Sequence, residues 1–127
     1  MPIAPDSVTS SNASKSFLGL VAGGWREIAF EHFRPGIGIH WLLKGGPDAP
    51  SVALLKYEKG ATVPRHRHPG LETVIVLEGS QSDENGDYPA GAVILNPVGS
   101  EHSIWTGEGC VVLIQWSLPI VFLDGAK

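Results

Sequence analysis

The sequence predicts an all-β fold, a sandwich or barrel of short strands in one domain. Three observations lead there. First, no window of about eleven residues keeps a helical period without a Gly or Pro interrupting it. Second, the chain carries 16 Gly and 10 Pro, residues that break helices and make turns. Third, short runs rich in β-branched and aromatic residues recur between turn signals, the pattern of a β-sandwich or barrel. The length of 127 residues suits a single core.

The elements follow in order. Residues 1–16 are rich in Ser, Ala and Pro and read as a flexible N-terminal tail, with the barrel domain spanning residues 17–127. Residues 25–33 are β-compatible and place Ile28, Phe30 and His32 on one parity, so a first strand is expected there. Arg34-Pro35-Gly36 is a turn, and residues 37–43 form the next strand with Ile37, Ile39 and Trp41 on one face. A loop over residues 44–48 leads to a strand over 51–59, closed by Gly60. Residues 73–77 are apolar and β-branched and end at Glu78-Gly79. Residues 83–87 contain the Asn85-Gly86 pair of a tight hairpin and read as a solvated turn. A short strand over 92–95 ends at Pro97. Residues 103–106 and 110–116 make a hairpin through Gly107-Glu108-Gly109, and residues 119–123 close the domain.

Charge and cysteine usage exclude several classes. The 9 basic and 13 acidic residues leave a net charge of −4. With no basic cluster, neither nucleic acid nor an anionic membrane is expected as the main partner. No apolar run reaches the ~18–20 residues of a membrane span, and the first residues lack a signal-peptide pattern. A single cysteine, Cys110, rules out an intrachain disulfide and a Cys-only metal site. It suits a cytoplasmic location, and Cys110 reads as a small buried hydrophobe.

The chemistry lies in histidine and glutamate. His66-Arg67-His68 places two imidazoles at i and i+2, on one face of an extended segment. Glu72 opens the following strand and can return a carboxylate to the same place. His102 begins another strand after Pro97-Val98-Gly99. Three imidazoles and a carboxylate suit one divalent transition metal, Fe or Zn first, with Mn and Ni also accepted. Open coordination positions would admit water, O₂ or a substrate oxygen. Elsewhere the structural readings prevail. His32 and His40 are expected to face solvent, the four tryptophans to serve core or interface, and Arg26, Arg34 and Arg65 to be solvated. Tyr57 and Gln115 are secondary cavity candidates.

These residues carry a family resemblance. Gly60, five residues, His66-Arg67-His68, three residues, Glu72, six residues, Gly79 resembles the first motif of the cupin superfamily. Gly91, five residues, Pro97-Val98-Gly99, two residues, His102 resembles the second, although Thr106 stands where Asn is usual. Within the superfamily, residues 66–72, 76–79, 82–91 and 96–102 are most similar to the cupin domain of ChrR-type anti-sigma factors, with Thr73 in place of a second Glu. The chain reads as a stand-alone version of that domain. The resemblance implies a jelly-roll barrel (double-stranded β-helix) with a metal held inside by His66, His68, Glu72 and His102. Val74 and Val76 should face the cavity with Glu72, Ile75 and Leu77 should face out, and Ile104 and Thr106 should share the parity of His102.

The resulting expectation is a mononuclear metal-dependent oxidoreductase, dioxygenase-like, acting on a small organic molecule. No catalytic base beyond the four ligands stands out. The alternative is a zinc-binding module that senses a ligand or oxidant without turnover. A homodimer is expected, paired through outer sheet faces.

Overall fold

The computed structural model describes residues 13–123. Of the expected tail, residues 1–12 lie outside the described residues, as do residues 124–127. The described strands are β1 (Glu31–Arg34), β2 (Ile37–Leu43), β3 (Ser51–Tyr57), β4 (Thr62–Arg67), β5 (Glu72–Asp83), β6 (Gly86–Pro89), β7 (Val93–Asn96), β8 (Glu101–Trp105), β9 (Cys110–Trp116) and β10 (Val121–Phe122). All pairings are antiparallel. One sheet runs β1-β2-β3-β9-β5-β7. The other runs β10-β4-β8 and closes on the far end of β5, which also pairs with β6. The protein is therefore a two-sheet jelly-roll barrel.

β5 joins the two sheets. Its first residues pair with β7 and β9, and its last four pair with β6. The register slips between Val76 and Glu78, a bulge that bends the strand. Gly79 follows at φ 75°, where a Cβ would collide with the Gly109 carbonyl oxygen. Both the backbone conformation and the close approach require glycine.

Alternation then fills the barrel. Ile37, Ile39, Ala53, Leu55, Tyr57, Val74, Val76, Val112 and Ile114 point inward and form the core with Val63 and Ile104. The parity predicted for β5 holds: Val74 and Val76 are each 1% exposed, while Leu77 packs on the outer side.

Two predicted strands are different: the one expected to end at Glu78-Gly79 runs on to Asp83, and the first is much shorter than expected. Residues 25–33 are not one strand. Gly24–Glu27 forms a 3-10 turn, and the strand begins only at Glu31. Trp25 drops onto Leu54 and Val111 on the outside of the first sheet, with Leu20, Ile28, Phe30, Leu77 and Leu113 around it. Burying that indole outweighs the β propensity of the segment. This second apolar cluster also explains why Leu54 is fully buried despite pointing away from the barrel interior. Upstream, Lys15 Nζ donates to the Leu42 carbonyl at 3.3 Å.

Candidate metal centre

Two neighbouring strands of the second sheet, β4 and β8, bring the histidines together. His66 and His102 are register partners across β4 and β8. His68 lies one residue beyond β4, where its N–H donates to Ser100 O at 2.9 Å and its carbonyl accepts from Gly99 N at 2.8 Å. The three rings are buried, with centroids 4.8–5.0 Å apart. Their nitrogens lie within 4.8 Å of one another.

The tautomers follow from the outward hydrogen bonds. His66 Nδ1 faces the Pro64 carbonyl at 2.8 Å, and a carbonyl only accepts, so Nδ1 carries the proton. His68 Nδ1 likewise donates to Ser100 O at 3.0 Å and to Ser100 Oγ at 2.9 Å. The Ser100 hydroxyl is free to accept because it donates to Pro97 O at 2.7 Å. His102 Nδ1 donates to Asp83 Oδ2 at 2.9 Å. Each ring is thus left with an Nε2 lone pair. Among the described residues, the Nε2 atoms of His68 and His102 are buried and have no hydrogen-bond partner. Burial also holds the His66 imidazole below its usual pKa, against the opposing pull of the Pro64 carbonyl. A neutral ring is the form that binds metal.

Glu72 is 5% exposed and stands beside the cluster. It is the cross-strand partner of Asn96, whose Nδ2 donates to its Oε1 at 2.8 Å. The same oxygen is 3.3 Å from His68 Nε2. Burial pushes the carboxyl up, while the Asn96 amide and, whenever its ring is protonated, His68 hold it below the usual carboxylate range. The group that gathers ligand atoms within 4.8 Å consists of the three histidines. Glu72 adjoins it through His68.

Several supporting residues escaped the sequence reading. Asp83, expected in a solvated turn, is 5% exposed. The hairpin turn lies at Glu84-Asn85, one residue earlier than the Asn-Gly pair suggests, because Asp83 pairs with Gly86. Asp83 Oδ1 accepts from Tyr88 Oη at 2.9 Å and Asn85 N at 2.8 Å while Oδ2 holds His102. Burial raises its pKa, and these hydrogen bonds more than reverse the shift. Gln115 does not enter the barrel; its Nε2 donates to Ser117 Oγ at 3.0 Å. Gln81, 2% exposed, lines the interior instead. Tyr57 does line it, and burial pushes its phenol pKa well up. Thr106 performs a turn function where the related motif has Asn: Oγ1 donates to Ser80 O at 2.7 Å and accepts from Gly109 N at 2.9 Å. Nearby Cys110 is buried, and burial pushes its thiol up to about 12.

A small inner cavity of about 40 Å³ reaches His66 and Glu72 between walls that include Val74, Ile104 and Ile114. It shares Phe33, Arg34, Trp116 and Ile120 with a vestibule of about 290 Å³ at the barrel mouth. The site therefore combines convergent imidazole lone pairs, a neighbouring carboxylate and an apolar approach.

Comparison with known proteins agrees with this fold. The ChrR cupin-like domain family matches residues 21–117. A search of curated proteins finds no match. Among solved structures, a cupin-like protein of unknown function from Ralstonia eutropha JMP134 superposes with a TM-score of 0.65 at 21% identity. That match covers 72% of this chain and 62% of the other, so this chain spans less than two-thirds of that protein's length. The Rhodobacter sphaeroides complex of SigE with the anti-sigma ChrR matches with a TM-score of 0.63 at 21% identity, covering 85% and 72% of the two chains. An acetylacetone dioxygenase from Acinetobacter johnsonii gives 0.71 at 15% identity, covering 100% and 88%. At these identities the likeness is one of fold.

Proposed function

This chain belongs to the ChrR cupin-like family, and from that premise we propose that it binds one divalent transition metal and acts as a dioxygenase-like oxidoreductase on a small organic molecule. His66, His68, His102 and Glu72 are the proposed ligands. The observation that carries the reading is the convergence of three buried imidazoles, two with unpartnered Nε2 atoms, beside a largely apolar cavity that His66 and Glu72 line. A closed structural site would not need such an approach.

The residues fit the group. Three neutral imidazoles and an ionised carboxylate are a donor set for iron, manganese, nickel or zinc. When bound, a redox-active metal supplies a place where O₂ and substrate are activated side by side. The chain's own residues do the rest. Pro64, Ser100 and Asp83 fix which ring nitrogen carries the proton. Asn96 orients the Glu72 carboxylate. Val74, Ile104 and Ile114 keep the inner cavity apolar and limit competing water.

A second reading is a zinc-binding sensor of a ligand or oxidant, supported by the family itself and by the SigE–ChrR structural match. A protein partner would then supply the output. In either case the partners proposed are a small molecule and a second copy of the chain, not nucleic acid. Among the described residues no helix is long and apolar enough to cross a membrane. A reducing cytoplasm suits the buried Cys110 thiol. The proposed dimer face is the outer side of the first sheet, where Val93 and Leu95 are 62% and 63% exposed. Light scattering on Leu95→Asp beside wild type checks it.

Elemental analysis of untagged protein beside His102→Ala tests the main reading. Near-stoichiometric iron or manganese, absent from the variant, together with oxygen uptake on small diketones or phenols, supports the enzyme. Zinc at that level, with no uptake after iron reconstitution, puts the sensor first. No metal bound and none taken up overturns both.

A further inference from the structure

The vestibule has a composition that the metal site does not require. Phe33, Trp41 and Trp116 meet one another with ring centroids 6.1–6.4 Å apart. Phe122 and Ile120 complete the wall. Two cations border this apolar space. Lys44 Nζ sits 5.1 Å from the Trp41 ring, and Arg34 Cζ sits 4.5 Å from the Phe122 ring. No acidic side chain among the described residues lines the vestibule, although the protein's net charge is −4. A lysine at an apolar mouth of an acidic protein is a local selection for anions. Lys44 lines the vestibule and not the inner cavity, so its charge marks the mouth.

Size narrows the ligand. A dry apolar cavity of roughly 150 Å³ takes benzene, so about 290 Å³ takes one or two fused rings with a substituent. Ring walls favour a ring ligand, because aromatic pairs gain beyond area burial. We infer that the vestibule binds a small aromatic carboxylate, its flat body among Phe33, Trp41 and Trp116 and its anionic group on Lys44. That this molecule is the substrate rests on the function proposed above. That it binds does not.

Trp41 and Trp116 make intrinsic fluorescence a direct reporter. The probes are 1-naphthoate and its neutral analogue 1-naphthamide, titrated into wild type, Lys44→Gln and Trp41→Leu, with calorimetry as the second readout. Lys44 is exposed, so its replacement does not endanger the fold. The acid is expected to bind about tenfold tighter than the amide, a preference that shrinks as salt rises. Lys44→Gln is expected to lose about threefold for the acid and nothing for the amide. Trp41→Leu should weaken both probes. Equal affinity for acid and amide, or an unchanged preference in Lys44→Gln, overturns the inference. Metal content is measured on the same samples. Protein that holds metal but does not discriminate overturns the vestibule and leaves the metal reading standing. Protein without metal, unable to take it up, that still prefers the acid supports the vestibule and overturns the metal reading.

Discussion

His66 and His68 are oriented by main-chain carbonyls, whereas His102 is oriented by a carboxylate. On the β4 side the acceptors are Pro64 O and Ser100 O. On the β8 side the acceptor is Asp83 Oδ2, itself held by Tyr88 and Asn85. A carbonyl acceptor comes with the fold and survives any side-chain substitution at its residue. A carboxylate acceptor is a side chain that one substitution removes. It also carries charge, which makes the histidine a more basic donor. The same task is thus fixed by backbone on one side and adjustable by side chain on the other.

Removing a proposed ligand should produce the largest effect and should erase this contrast. Both His68→Ala and His102→Ala are expected to weaken metal binding by more than about 100-fold, since a lost ligand costs more than a lost supporting contact. Competition against a metal-responsive dye measures it. A wild-type affinity in either variant would remove that histidine from the site.

Asp83→Asn comes next and separates the two sides. Both Asp83 oxygens accept, Oδ2 from His102 and Oδ1 from Tyr88 and Asn85. An amide cannot serve all three donors in either orientation. With its NH₂ toward His102, it drives the ring to the tautomer that protonates Nε2, and the ligand lone pair is lost. The expected loss is about 10–100-fold in metal affinity, with circular dichroism unchanged. Nitrogen-15 chemical shifts of the His102 ring report the tautomer directly. An unchanged shift with unchanged affinity would make Asp83 a hairpin residue only.

The contrast also explains what the sequence could and could not reveal. That His66 and His68 share one buried face was legible because His66-Arg67-His68 is extended and short-range spacing sets its geometry. Strands β2 and β9 were legible because Ile37, Ile39 and Trp41 in one, and Val112, Ile114 and Trp116 in the other, keep a period of two that packs on the core. Asp83 was not. Glu72, Val74 and Val76 share one parity, and continuing it along β5 puts Ser82 inside and Asp83 outside. The bulge between Val76 and Glu78 reverses that count, so Gln81 and Asp83 turn inward. Nothing in the run of residues announces a bulge except Gly79, whose role depends on the approach of Gly109 from another strand. Trp25 was misplaced for a related reason. An aromatic residue with β propensity suits a strand or a plug over one, and only the tertiary partners Leu54 and Val111 decide.

Tyr88→Phe probes the carboxylate side more gently. It removes one of two donors to Asp83 Oδ1 and leaves the Asn85 N–H in place. A stability loss of about 1 kcal/mol is expected from the missing hydrogen bond, with metal affinity down only a few-fold. A loss as large as that of Asp83→Asn would mean that the tyrosine, not the carboxylate charge, sets the His102 orientation.

Ser100→Ala should have the smallest effect and is the sharpest check on the backbone side. The substitution deletes Oγ, which shares the His68 Nδ1 proton, but retains Ser100 O at 3.0 Å. It also deletes the donor to Pro97 O, a partly exposed contact that water can replace. Metal affinity should stay within about twofold of wild type, well inside the range expected for a lost supporting group. A tenfold loss would show that the hydroxyl, rather than the carbonyl, orients His68. Both sides of the centre would then depend on side chains, and the division between a fixed and an adjustable half would fail.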